Sequence, residues 1–451
     1  MKYLNLIWLI ILISAGCEKK KAIDTNTFQS TIIFPYQEEH VHGSTIVELP
    51  NGDLLTAWFQ GSGERWADDV RIMGSRLLKG DTAWSKIFLM ADVKGFPDIN
   101  PIMFMDKQQR LWLMWYPVLA NQWETSIPPM YKISTQYNTS AAPVWTWQDI
   151  LFVKFDKTER GIQPNDRFVM QVKDQITQYE EYLKSSLLPT VPDSLSKPLL
   201  KQWEKYKVKM DSLSNGKNMI RAGRIKEGEE EKPAQLGYPL TRRLGWQTKN
   251  KAVYLGNRMI VPLYSDGFDC SLFAISDDNG ETWTFSNPVL GGAGIQPTIA
   301  IGKDSVLVAY LRDNGPPPQR MQRTESHDKG ITWSIPKDDV LPNSGAGFDM
   351  VTLSTGEWVM VFNDSEHNRY NLSVAVSDNE GKTWKWKKSI ENDSRIEKAT
   401  SSHYPSVIVG SDGRLHVSYS YHHSDTKPGK SVKYVSFPLS WVKNEEQVTN
   451  N

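Results

Sequence analysis

The chain has 451 residues, enough for one large domain or two to three ordinary ones. Its 52 acidic and 52 basic residues cancel, which removes the electrostatic case for a nucleic acid or a polyanionic surface as partner. The 17 tryptophans lie mostly in alternating, strand-like runs where a half-buried pleated surface suits them, and they read as packing residues.

At the N-terminus, Lys2 and an apolar run from Leu4 to Ile13 precede Ser14-Ala15-Gly16-Cys17. That run is too short to span a bilayer and reads as an export signal. Small residues ahead of a cysteine resemble a lipobox. The resemblance implies a signal peptide and lipidated Cys17 over residues 1–17, a tether over 18–27, and an outer-membrane lipoprotein facing the periplasm or the cell surface. Cys270 is then the one remaining thiol, so no intramolecular disulfide forms and the fold rests on its core.

Next come apolar strands joined by tight turns, in six copies: Ile46 to Trp58, Ile102 to Trp115, Ala252 to Tyr264, Thr298 to Tyr310, Val351 to Phe362 and Ser406 to Tyr419. Antiparallel units of this size bury their edges by closing radially. The spacing therefore predicts an all-β protein, a six-bladed β-propeller over residues 28–443, with room for a seventh, degenerate blade between Ser134 and Ile150.

One stretch breaks the strand pattern. Phe168, Val169, Val172, Ile176, Tyr179, Leu183 and Leu187 recur at helical spacing, with Asn165 or Asp166 placed to cap. Leu195, Leu199, Trp203, Tyr206 and Met210 predict a second helix after Pro192-Asp193-Ser194, and the charged run Lys226 to Lys232 follows. Residues 165–232 read as a helical hairpin inserted between blades, either a wall of the site or a surface elaboration.

A second repeat runs in step with the hairpins. Ser276 to Trp283 (SDDNGETW), Ser326 to Trp333 (SHDKGITW) and Ser377 to Trp384 (SDNEGKTW) recur about fifty residues apart. In such a turn the Asp or Asn side chain bonds turn amides, Gly takes a positive φ, and Trp tucks beneath the next strand. These turns resemble the Asp-box of sialidases and related propellers.

Blade geometry turns sequence position into location. Residues that enter the innermost strand and residues that leave the second strand meet at one end of the central funnel. Entering are His40, His42, Ser44, Asn100, Gln296, Asp349, His403, Tyr404 and Ser406; leaving are Gln60, Tyr116, Tyr264, Ser265, Asp266, Arg312, Asp313, Asn363, Asp364, His422 and His423. This polar and aromatic set on otherwise apolar strands is the candidate site.

The resemblance to sialidases extends to this set. Arg312 in Leu311-Arg312-Asp313-Asn314 and Arg369 in Asn368-Arg369-Tyr370 look like two of the family's three arginines. Tyr404 in His403-Tyr404-Pro405 looks like its nucleophile, and Asp68 or Asp69 like its acid. Two positions depart: His42 stands where the first arginine belongs, and Gln296 where the family has the Glu that takes the tyrosine proton. Gln accepts no proton, which argues against a retaining sialidase. Two arginines that hold a carboxylate beside His and Tyr suit β-elimination on a uronic acid, as in propeller-fold polysaccharide lyases of the ulvan lyase type and oligosaccharide dehydratases, which this set resembles in kind.

On that reading His42 or Tyr404 is the base, the other or His403 the acid, and Arg312 and Arg369 bind the carboxylate, with Gln296, Tyr264, Asp266 and His40 beside the substrate. An exo-acting sialidase-type hydrolase and a non-catalytic glycan-binding propeller remain alternatives. His40 and His42 share a strand face, but no further ligand stands at a metal-site spacing, so neither a metal nor any other cofactor is expected. The expected partners are an acidic oligosaccharide or polysaccharide and, through Cys17, the membrane.

Overall fold

A computed structural model describes residues 27–155, 167–214, 244–315, 317–393, 400–423 and 428–444. Cys17, the capping pair Asn165 and Asp166, and the charged run Lys226 to Lys232 lie outside the described residues. Among the described residues, twenty-four strands form six four-stranded antiparallel sheets arranged as propeller blades. Blade one holds β2 (His40–Glu48), β3 (Leu54–Gly61), β4 (Arg71–Leu77) and β5 (Phe88–Ala91). Blade two holds β6 (Asp98–Met105), β7 (Leu111–Pro117), β8 (Met130–Ser134) and β9 (Trp147–Ile150). The segment with room for a seventh blade is therefore the outer edge of blade two: Trp147–Ile150 pairs with Met130–Ile133 and completes that sheet.

Blade three runs β10 (Val253–Leu255), β11 (Arg258–Ser265), β12 (Cys270–Ser276) and β13 (Thr284–Phe285); blade four β14 (Gly294–Ile301), β15 (Leu307–Asp313), β16 (Arg320–Ser326) and β17 (Lys337–Pro342). In blade five are β18 (Asp349–Thr352), β19 (Trp358–Phe362), β20 (Asn371–Ser377) and β21 (Trp386–Asn392). Blade six is built from β22 (Thr400–Val409), β23 (Arg414–His423) and β24 (Lys430–Pro438), and its outermost strand is β1 (Gln29–Ile32) from the other end of the chain. Pairing β1 with β24 closes the ring, so a strand edge left open at blade six is covered by the chain's own beginning.

Three core tryptophans pack with their indoles satisfied. Trp58, Trp112 and Trp115 are fully buried, and their Nε1 groups donate to Gln60, Asp106 and Asp98 at 2.9, 2.8 and 2.7 Å. The Asp-box turns join the third and fourth strands of blades three, four and five. In the first, Asp278 accepts from Thr282 N–H at 2.9 Å and Thr282 Oγ1 at 2.6 Å, and Gly280 has φ 92°. A Cβ on Gly280 would stand 2.4 Å from Trp112 of the neighbouring blade, so the position needs glycine for space as well as for φ. Strand direction puts these turns at the end of the propeller opposite the candidate site, which makes them architectural.

The insert forms α1 (Arg167–Tyr182) and α2 (Asp193–Ser214). Phe168 and Val172 of α1 and Met210 and Leu213 of α2 share one buried cluster with Trp246, Phe268, Cys270 and Leu272 of blade three and its flanks. Cys270 is buried and unpaired, a small apolar side chain in this cluster. The helices thus extend the core sideways instead of standing on the surface. Phe168→Ala is expected to destabilise the protein by about 3–5 kcal/mol, the range for truncating a buried Phe. A denaturant midpoint unchanged by the substitution would contradict that packing.

Candidate functional site

Four innermost strands carry the same local device. Their pairing with the second strand slips between His42 and Thr45, Ile99 and Ile102, Ile295 and Thr298, and His403 and Ser406. At each slip one residue takes a positive φ: Gly43 at 63°, Asn100 at 46°, Gln296 at 53° and Tyr404 at 48°. Pro101, Pro297 and Pro405 follow the last three, and a residue without an N–H fits a bulge where the ladder is interrupted. A left-handed Asn, Gln or Tyr costs about 1–3 kcal/mol, held in place by the surrounding sheet. The bulges aim Asn100, Gln296 and Tyr404 into one space. Gly43 keeps its place because a Cβ there would come within 2.7 Å of Asn100 Oδ1.

That space is a cavity of about 320 Å³ lined by His42, Glu64, Asn100, Tyr116, Trp123, Tyr264, Asp266, Gln296, Arg312, Asn314, Arg369 and Tyr404. Two larger depressions, about 530 and 550 Å³, lie at the seam of blades six and one and beside α1. Neither brings two guanidinium groups onto a phenol, so chemistry rather than size selects the smaller one.

Tyr404 is its hub. The phenol oxygen accepts from Arg312 Nη1 at 2.8 Å and from Gln296 Nε2 at 3.0 Å. With both lone pairs engaged, its own proton is left to point elsewhere in the cavity. The Arg369 guanidinium lies 5.8 Å from the ring centre and buried Lys249 5.2 Å from it. Burial holds the Lys249 ammonium down to about 8. Gly347 packs among these groups: a Cβ there would meet Gln296 Oε1 and Lys249 Cε at 2.9 Å and Tyr404 Cδ1 at 3.0 Å. Asn100 Nδ2 donates to Tyr116 and Tyr264 hydroxyls at 3.1 and 3.3 Å, which fixes the opposite wall.

Histidines crowd the other side. The His42 ring centre is 4.3 Å from that of Tyr404, 5.3 Å from His403 and 5.8 Å from His40. Burial, reinforced by the neighbouring histidines and Arg369, keeps His42 well below the usual imidazole value, so it is neutral near pH 7, and its buried Nδ1 has no hydrogen-bond partner. His403 differs. Its Nδ1 accepts from Arg369 Nη1 at 2.9 Å, which leaves Nε2–H to donate to Ser401 Oγ at 2.8 Å. Both ring nitrogens are engaged, so His403 is a positioning residue that orients Arg369, and the acid role expected for it from the sequence does not fit this geometry. His422 donates to Val41 O at 2.8 Å and backs the cluster.

Two acidic groups face the cavity. Burial raises Asp266 to about 6 and lifts Glu64 above the ordinary carboxylate value, with Arg65, Arg369 and Arg312 pulling Glu64 back. Asp69, expected as the acid, is exposed instead; its carboxylate accepts from Ser62 N–H at 3.0 Å and Ser62 Oγ at 2.9 Å and closes the loop between β3 and β4. Asp68 is exposed as well. The loop that Asp69 closes carries Glu64, which sequence reasoning missed together with Trp123 and Asn314. A search of the connections after the second strands, which belong to the same end of the funnel, finds all three.

His40 sits behind His42 against Phe59, with Nε2 4.0 Å from Glu64, outside the cavity lining. Asp349 also lies below the cavity, where it accepts from Val407 N–H and Thr298 Oγ1 at 2.9 and 3.2 Å and knits three inner strands together. Among the described residues, no group of three or more His, Cys, Asp or Glu side chains is placed to hold a metal.

With this geometry in place, similarities to known proteins become informative. A BNR repeat-like domain matches residues 199–417. Over 111 residues the chain is 33% identical to the anhydrosialidase of Macrobdella decora, a stretch that covers 24% of this chain and 13% of that protein. A protein of unknown function from Dyadobacter fermentans superposes with a TM-score of 0.59 at 12% identity, covering 91% of this chain and 98% of that one. The intramolecular trans-sialidase from Ruminococcus gnavus, solved with oseltamivir carboxylate, superposes with a TM-score of 0.56 at 14% identity over 92% of this chain and 98% of that one. At these identities the two structures establish the fold, a sialidase-like six-bladed propeller.

Proposed function

We propose that this sialidase-like propeller is a carbohydrate-active enzyme that takes a sugar bearing a carboxylate and breaks its C4–O bond by β-elimination, as a lyase or an oligosaccharide dehydratase. One observation carries the reading: the Tyr404 hydroxyl is met by a guanidinium and an amide, neither of which accepts a proton, while a neutral, unpartnered imidazole nitrogen stands against the same ring. An amide takes no proton in either orientation, so Tyr404 lacks the base a phenol nucleophile needs. His42 has the base and lacks only a substrate proton.

In this reading Arg312 and Arg369 hold the sugar carboxylate and neutralise it, which acidifies the C5 proton. His42 takes that proton. The C5–H electrons become the C4–C5 double bond as the C4–O bond breaks, and the departing oxygen takes the proton of Tyr404. Arg312 and Gln296, already donating to the Tyr404 oxygen, stabilise the phenolate until it is reprotonated. Loss of a sugar makes the reaction a lyase; loss of water makes it a dehydratase.

A sialidase-type hydrolase is the second reading, favoured by the names of the similar proteins and by Glu64, a carboxyl that burial keeps prone to protonation inside the cavity. Uronate-capped and sialic-acid-capped oligosaccharides separate the two. Elimination yields an ultraviolet-absorbing unsaturated product of matching mass, hydrolysis a free sugar with no new double bond, and a glycan-binding propeller neither.

The lowered pKa of His42 sets the pH dependence. A base works unprotonated, so protonation at falling pH ends activity, and a depressed pKa postpones that loss. The acid limb of kcat/KM is therefore expected well below pH 6.5. A limb at or above pH 6.5 would exclude His42 as the base in the free enzyme.

A further inference from the structure

We infer that the rim beside the cavity is a second sugar subsite, an aromatic platform of Trp66 and Trp123 joined by Arg65, which stacks the ring attached to the acidic sugar. The inference rests on the acidic-sugar reading of the cavity and adds that the substrate has at least two rings.

The platform is built into the loop between β3 and β4. Asp69 fastens that loop through Ser62. At Gly63 a Cβ would stand 2.6 Å from Trp66 Nε1, so the Nε1 edge of the indole packs closely on the glycine. Trp66 is 59% exposed, in a fold where Trp58, Trp112, Trp115, Trp246 and Trp358 are buried. Arg65 then spans two blades. Its guanidinium is 5.4 Å from the Trp66 ring and 4.9 Å from that of Trp123, and its Nε donates to Asn121 O at 3.2 Å. Glu64 and Trp123 line the cavity, so platform and cavity share a wall.

What sets Trp66 apart from other exposed indoles is its place at the cavity's rim beside Arg65, and the apolar C–H face of a pyranose is a ligand that both covers it and leaves hydroxyls at its edge for Arg65 and Glu64. Contacts with a ring remote from the broken bond also hold the reacting ring in place.

The test is calorimetric binding of matched one-ring and longer probes: methyl β-glucuronide against a β-glucuronyl disaccharide, and methyl sialoside against 3′-sialyllactose. Wild type is expected to bind the longer member of the recognised pair roughly five- to tenfold more tightly. Trp66→Ala should erase that gain without weakening the one-ring probe. Trp147→Ala, which alters an indole 57% exposed on the outer strand of blade two, should change nothing. One-ring binding with no gain from further rings, or a gain that survives in Trp66→Ala, overturns the subsite and leaves the cavity reading intact. A Trp66-dependent gain for the sialic-acid pair alone upholds the subsite and overturns elimination on uronates. Binding of no probe overturns both.

Discussion

Tyr404→Phe and His42→Ala are each expected to lower turnover of an acidic oligosaccharide by about 10²–10⁴-fold, the usual worth of a positioned proton-transfer group, while binding changes little. The Phe substitution keeps the ring that packs against His42 and Lys249 and removes only the hydroxyl. Arg312 Nη1 and Gln296 Nε2 then lose an acceptor, but they line a cavity that admits water, so the fold should hold. His42→Ala removes the unpartnered Nδ1. The measurement is product absorbance together with calorimetric affinity. Full elimination activity in both variants would mean that the proton moves through other groups, even in the same cavity.

Removing a guanidinium should produce a different signature. Arg312→Ala and Arg369→Ala each delete charge-assisted bonds of about 1.5–3 kcal/mol, so affinity for a carboxylate-bearing sugar is expected to fall roughly 10- to 150-fold, and turnover to fall with it. A methyl-ester substrate, which carries no charge for the arginines to meet, should lose far less affinity in the variants than the free acid does. Arg369 has a further partner in His403, so His403→Ala should reproduce part of the Arg369→Ala defect by leaving the guanidinium held through Gly345 O without its histidine contact. Equal affinities of wild type and both arginine variants for the free acid would exclude carboxylate binding at this pair.

Much of the architecture was legible in the chain because propeller blades are local. A strand, a tight turn and another strand are neighbours in sequence as well as in space, so the six hairpins and the three Asp-box turns announce themselves by periodicity and turn chemistry. The same locality made the funnel residues readable, since strand direction alone says which ends meet; His42, Asn100, Tyr116, Tyr264, Asp266, Gln296, Arg312 and Tyr404 do share one cavity, joined by Arg369, which the family resemblance pointed to. Other features depend on packing between distant segments. Whether Trp147–Ile150 starts a new blade or finishes an old one is decided by the free edge at Met130–Ile133, and whether the helices are surface or core by the apolar flank of blade three.

Roles within the site were decided later still. Asp69 and Glu64 are five residues apart with the same charge, yet one binds Ser62 and the other faces the arginines, because the loop folds back on Gly63. His42 and His403 are equivalent in sequence, each just before a bulge, but Arg369 and Ser401 occupy both nitrogens of one and leave Nδ1 of the other without a partner. By itself the sequence determined which residue types reach this end of the propeller, since strand alternation and turn length are local. Only the tertiary structure decided which atoms remain free to act, because a hydrogen-bond partner contributed by another blade is a long-range contact that no local pattern records.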